Sequence, residues 1–113
     1  MSFADDIAPF IVVSYETGNS LLLDVGSYKN ELFETRQDEG FEGGGYDWES
    51  LAKIFLKEKK PELADVIGFD SESSMFCAYS QDLELLKDFA ISFHYACEDD
   101  DLIRELFSRV ELD

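Results

Sequence analysis

Asp65-Val66-Ile67-Gly68-Phe69-Asp70-Ser71-Glu72-Ser73-Ser74-Met75-Phe76-Cys77-Ala78-Tyr79-Ser80, running on into Gln81 to Cys97 (QDLELLKDFAISFHYAC), is the stretch whose reading decides the fold. Two short runs rich in β-branched and aromatic residues, Asp65 to Asp70 and Ser74 to Tyr79, flank the polar turn Asp70-Ser71-Glu72-Ser73. That pattern predicts a hairpin. Ser80 stands where it can cap the segment that follows, and Leu83, Leu86, Ala90, Phe93 and Cys97 recur at helical spacing with Leu85 and Phe89 alongside. A hairpin feeding an amphipathic helix is a ββα unit.

Upstream the same grammar occurs once more. Phe10 to Glu16 and Ser20 to Val25 are apolar runs around Thr17-Gly18-Asn19, and Gly-Asn tolerates the positive φ of a tight hairpin turn. Pro9 precedes the first run, where no ladder donor is needed. A helix from Trp48 to Lys60 follows, with Asp47 as its expected N-cap and Trp48, Leu51, Ala52 and Phe55 as its buried face, widened by Ile54 and Leu56. Lys57, Lys59 and Lys60 suit the negative end of that helix dipole, and Pro61 stops it. Downstream, Glu98-Asp99-Asp100-Asp101 breaks the chain and restarts it as a helix from Leu102 to Val110, with Leu102, Leu106 and Val110 on one side and Ile103 and Phe107 adjacent. The order ββ-α-ββ-α-α predicts a single α+β domain over residues 1–113. About four antiparallel strands in two hairpins would carry two to three helices on one face. The other sheet face must meet solvent or a partner. The polar, glycine-rich segment 27–46 stays open, with a strand or a helical turn equally compatible around Tyr28 to Thr35.

The 26 acidic residues outnumber the 9 basic ones for a net charge of −17, while 45% of the chain is hydrophobic and 14% aromatic. The apolar content is too high for a disordered acidic tail. Nine cations within so negative a field make a poor nucleic-acid or anionic-membrane surface, so neither partner is expected. The start, Met1-Ser2-Phe3-Ala4-Asp5-Asp6, has no basic leader region, and no apolar run approaches the roughly 18 residues of a membrane span. A soluble, cytoplasmic protein is expected. Cys77 and Cys97 lie among apolar residues, which suits reduced core thiols rather than a zinc site or disulfide framework.

No catalytic centre can be assembled from spacing. Counted from Asp70 as a calcium loop, the sixth position is Met75 instead of Gly and the twelfth is Gln81 instead of Glu. His94, the lone histidine, sits within a helix without an obvious partner. Gly43-Gly44-Gly45 lacks the Lys and Ser or Thr of a phosphate loop, and Tyr46-Asp47-Trp48 puts a carboxylate where an anion would bind. Neither metal nor cofactor is expected, and the chain does not read as an enzyme.

Recognition chemistry remains. From Glu31 to Glu49 there are seven acids (Glu31, Glu34, Asp38, Glu39, Glu42, Asp47, Glu49) against Arg36, interleaved with Phe33, Phe41, Tyr46 and Trp48. Such a loop suits a basic protein surface, with charge speeding encounter and rings supplying anchors. It equally suits a solvated loop tied down by its own aromatics, which is the better reading of Phe41 and Trp48.

Glu39-Gly40-Phe41-Glu42-Gly43-Gly44-Gly45-Tyr46-Asp47-Trp48, Leu51-Ala52, Phe69-Asp70-Ser71-Glu72, Met75-Phe76 and Ala78-Tyr79 together resemble the immunity protein 51 family, departing from its pattern at Gly44, where Asn is expected, and at Ser71, where Pro is. The resemblance implies an antitoxin of bacterial polymorphic-toxin or contact-dependent growth-inhibition systems. Such a protein would bind the toxic C-terminal domain of a cognate effector, a basic nuclease in many cases, as a monomer in a 1:1 complex. Gly43, Gly45, Tyr46, Asp47, Trp48 and Asp70 are then expected to be architecture. Asp38, Glu39, Glu42 and Glu72, with Asp99, Asp100 and Asp101 as a second patch, are expected to contact the toxin. Two alternatives remain: an acidic nucleic-acid mimic that inhibits a DNA-binding protein, and a carboxylate-rich metal-dependent enzyme.

Overall fold

A computed structural model describes residues 6–110; the opening residues 1–5, read above for a leader, lie outside the described residues. Strand β1 (Ile11–Tyr15) turns into β2 (Gly18–Asp24) with Tyr15 paired to Gly18, so Glu16 and Thr17 alone form the turn. The expected turn residues Gly18 and Asn19 belong to β2 instead. Asn19 is drawn into the sheet because its buried amide donates to the carbonyls of Ser80 at 3.1 Å and Gln81 at 3.4 Å, where the chain leaves the sheet for a helix.

Strand β3 (Gly68–Phe69) and β4 (Met75–Ser80) form the second hairpin, and the antiparallel sheet runs β1-β2-β4-β3. The run from Asp65 to Asp70 was expected to be strand throughout, yet only two residues pair in β3. A 3₁₀ turn over Pro61–Leu63 precedes them, and the amides of Val66 and Ile67 both donate to the Leu63 carbonyl. This helical detour buries Leu63 and Ile67, leaving little chain for the edge strand.

Among the described residues, four helices lie in the other layer. Helix α1 (Asn30–Glu34) resolves the open segment as a helical turn, followed by a 3₁₀ turn over Gln37–Glu39. Then come α2 (Gly45–Lys59), α3 (Leu83–Glu98) and α4 (Asp100–Ser108). Asp82, not Ser80, caps α3 by accepting from the Leu85 amide at 3.2 Å, while the Ser80 hydroxyl accepts from Asp82 N–H. Asp99 caps α4 through the Leu102 amide, also at 3.2 Å. The buried stripe of α4 is Ile103, Leu106 and Phe107, continued by Val110, with Leu102 only half-buried.

Alternation along the strands sets the two sheet faces. Leu21, Leu23, Phe76 and Ala78 are buried toward the helices. Trp48 is central, within 6.3 Å of the ring centroids of Phe10, Tyr28, Phe33, Phe76 and Phe93. Ring pairs of this kind add roughly 0.5–1.5 kcal/mol beyond their buried area, so this aromatic cluster ties α1, α2, α3 and the sheet into one core.

Candidate functional site

The two segments that carry the family resemblance are about thirty residues apart in sequence and touch in space. Gly45 N–H donates to the Ser73 carbonyl at 3.1 Å. A side chain at Gly45 would overlap the carbonyl oxygens of Glu72 and Met75, and one at Gly44 would stand 2.9 Å from Ser73 O. The start of α2 therefore passes directly beneath the β3–β4 turn, which only bare backbone permits.

That contact also displaces the expected cap. Helix α2 begins at Gly45 with Gly44 as its N-cap, three residues earlier than an Asp47 cap would require. Asp47 lies within the first turn, where its carboxylate reaches back to accept from the amides of Glu42 at 2.8 Å and Gly43 at 2.9 Å. It fastens the loop to the helix in the manner of the third residue of a capping box. Gly43 has φ +78°, a left-handed position that favours glycine, and a Cβ there would stand 3.4–3.5 Å from the Phe33 side chain. Phe41 and Trp48 are each 1% exposed, whereas Tyr46 is 58% exposed. Of the loop aromatics, Tyr46 alone faces solvent.

The acidic candidates separate into bound and unbound groups. Arg36 donates from Nε and Nη2 to both carboxylate oxygens of Glu39 at 2.9 and 2.8 Å, and from Nη1 to the carbonyls of Phe107 at 2.6 Å and Val110 at 2.7 Å. Its guanidinium also sits 4.5 Å from the Phe41 ring centroid and 5.1 Å from that of Phe107. The hydrogen-bonded guanidinium holds the Glu39 carboxyl below the usual carboxylate range, and Glu39 in turn raises Arg36. Glu39 is thus engaged in joining the loop to α4. In the second patch Asp99 is a cap, Asp100 pairs with Lys29 at 3.1 Å, and Asp101 is exposed. Asp38, Glu42 and Glu72 are exposed, with no ion pair recorded for them among the described residues. Glu34 and Glu42 line a groove of about 570 Å³ together with Phe33 and Phe41.

Cations are distributed unevenly. All nine lie in helices or close to their ends, at Lys29, Arg36, Lys53, Lys57, Lys59, Lys60, Lys87, Arg104 and Arg109, while residues 6–28 and 61–86 contain none. Both hairpins are therefore purely acidic, carrying Glu16, Asp24, Asp70 and Glu72. His94 packs as a ring, stacked on Tyr28 at 6.3 Å and edge-on to Phe10 at 6.2 Å. Tyr28 donates its hydroxyl to Glu98 at 2.6 Å, and burial pushes its pKa well up. Burial likewise raises both thiols, Cys97 more than the half-buried Cys77. Among the described residues no three His, Cys, Asp or Glu side chains gather as a metal ion would need, and no helix is long and apolar enough to cross a membrane.

A helix-backed antiparallel sheet, strongly acidic and with its nine cations in helices or close to their ends, defines a small α+β domain. The chain belongs to the immunity protein 51 family, whose model matches residues 10–112. No curated protein and no solved structure matches it.

Proposed function

We propose that this protein binds the toxic C-terminal domain of a cognate effector in the cytoplasm, as a 1:1 complex, and neutralises it by covering its active cleft. Membership of the immunity protein 51 family over residues 10–112 is the observation that carries the reading. The charge supports a basic target: at −17, and with two hairpins free of cations, the protein offers carboxylates where a nuclease cleft expects phosphates. Asp38, Glu42 and Glu72, exposed and without a recorded ion pair among the described residues, are the acids available for that contact. Glu39, Asp99 and Asp100 have internal partners and would add field rather than direct contacts.

The decisive test is co-expression. The C-terminal domain of the effector encoded beside this chain should arrest growth alone and lose its toxicity when this protein is made with it. Continued arrest at matched expression would remove the proposal. With a catalytically disabled form of that domain, the association rate should fall roughly ten-fold or more between low and high ionic strength, because steering of opposite charges is screened by salt. A rate indifferent to salt would eliminate the basic-target part.

A further inference from the structure

The open face of the sheet, opposite the helices, has a composition that folding alone does not require. Strand register places Ile11, Leu22 and Cys77 in one row and Val13, Ser20 and Tyr79 in the next. Tyr15 ends β1 on the same side, by the two-residue period of the strand. Ile11 is 54% exposed, Tyr15 57% and Tyr79 48%. Beyond β3 the chain keeps step with β4: Asp70 N–H donates to the Cys77 carbonyl at 3.0 Å, and Glu72 bridges Met75. Asp70 and Glu72 therefore continue the parity of Gly68 along the outer edge, and Asp24 lies across from Met75 on the other side. Between Tyr15 and Tyr79 lies a depression of about 340 Å³, lined also by Ser20, Asp70, Cys77 and Gln81.

We infer that this open face is the surface on which the toxin domain docks, with a lysine or arginine of the toxin entering the depression between Tyr15 and Tyr79 against the Asp70 carboxylate. The inference rests on the function proposed above and supplies its location. Charge complementarity selects the occupant. The strands and both hairpins carry no Lys or Arg, so a cation entering here meets acids and tyrosine faces with no competing positive charge on the strands themselves. A tyrosine face attracts a cation electrostatically, more strongly once water is excluded. Apolar neighbours such as Ile11, Val13 and Leu22 would exclude that water.

Size explains the place of the motif acids. A face of four strands spans about 20 Å by 20 Å, roughly 400 Å², whereas a standard interface buries about 800 Å² on each partner. The contact must extend beyond the sheet. The continuous direction is across the β3–β4 turn, where Glu72 and Ser73 lie on Gly44 and Gly45, and so to Glu42. Glu72 and Glu42 would then form the polar rim around an apolar centre.

The test uses the catalytically disabled C-terminal domain of the adjacent effector, with binding measured by calorimetry. Tyr15→Arg and Asp70→Lys should each weaken binding roughly 100-fold, as expected where a hot-spot pocket gains a like charge. Tyr95→Arg, at a 75% exposed position on α3, should stay within about three-fold of wild type. Far-UV circular dichroism confirms folding. Should Asp70→Lys unfold, Tyr15→Ala, which adds no charge, replaces it, with an expected loss of roughly ten-fold. Wild-type affinity in Tyr15→Arg overturns the docking surface while leaving the function intact. Absence of binding by the unmutated protein overturns both. A homodimer in sedimentation that Tyr15→Arg dissociates would assign the face to a second copy of the chain and also overturn the inference.

Discussion

Replacing Arg36 by alanine should destabilise the protein far more than removing a surface cation normally does. Exposed ion pairs contribute about 0–1 kcal/mol, but the Arg36 side chain is only 18% exposed and its bond to Glu39 is the lesser part of what it does. Its two hydrogen bonds to Phe107 and Val110 satisfy carbonyls at the end of α4. Charged donors contribute about 1.5–3 kcal/mol each; because water can reclaim part of those carbonyls, the lower value applies, about 3 kcal/mol for the pair. The contacts with Phe41 and Phe107 add about 0.5–1 kcal/mol each. Arg36→Ala should therefore cost about 4 kcal/mol, a large fraction of the 5–15 kcal/mol typical of a whole domain.

Equilibrium urea unfolding measures this directly. With a slope of about 1.3 kcal/mol/M for a chain of this size, the midpoint should fall by about 3 M. Arg36→Lys keeps the charge but loses the planar fork and its ring contacts, so it should lie roughly halfway. A loss below about 1 kcal/mol for Arg36→Ala would falsify the account, since the guanidinium would then be behaving as an ordinary surface charge. The result also governs how binding data are read. Reversing Glu39 sets a cation against Arg36, so a lost interaction with a partner would report a disturbed loop rather than a missing contact.

Gly45→Ala should destabilise by about 3 kcal/mol or more, because the added methyl meets the backbone carbonyls of Glu72 and Met75, which cannot rotate away; a shift within 0.5 kcal/mol, a range typical of surface substitutions, would show that the crossing is looser than it looks. Glu39→Gln tests linkage: the folded carboxyl is held low by Arg36, so its contribution is present above the unfolded carboxylate pKa and lost as pH falls through the folded value. Wild type should exceed the variant in urea midpoint at neutral pH and converge with it in acid, and a pH-independent gap would contradict the pairing.

Hydrophobic patterning made the α+β architecture legible, since each long helix has an apolar stripe of helical period and the longer strands are short runs of β-branched, aromatic or apolar residues. Boundaries were less legible where several capping residues compete. Asp47, Ser80 and Asp82 are all competent caps, and the choice depended on where the backbone had to go. Gly44 and Gly45 must pass beneath Ser73, so α2 starts there and Asp47 is left to fasten the loop. The edge strand shrank for a similar reason, because Leu63 and Ile67 were needed in the core. At the candidate site, the number of acids was plain but their pairing was not. Arg36 and Glu39 are three residues apart, yet Arg36 acts mainly on carbonyls seventy residues downstream. The open face was hidden because Val12-Val13 and Leu21-Leu22-Leu23 are apolar at both parities, and an unbroken run does not say which side faces the helices.

The placement of charge gives the net −17 a sharper meaning than its magnitude. On the helical side, where all nine cations lie, several acids serve as caps or partners, as Asp99, Asp100, Glu39, Glu49 and Asp88 do. On the sheet side Glu16, Asp24, Asp70 and Glu72 lie on strands and turns that carry no cation. A basic partner seated there would gain Coulomb attraction to these carboxylates. Binding and stability are consequently coupled in one direction: a ligand that binds only the folded chain raises its stability with concentration, and here the stabilisation should be larger at low salt than at high salt. Such coupling would suit an antitoxin, holding the folded form most firmly when its target is present.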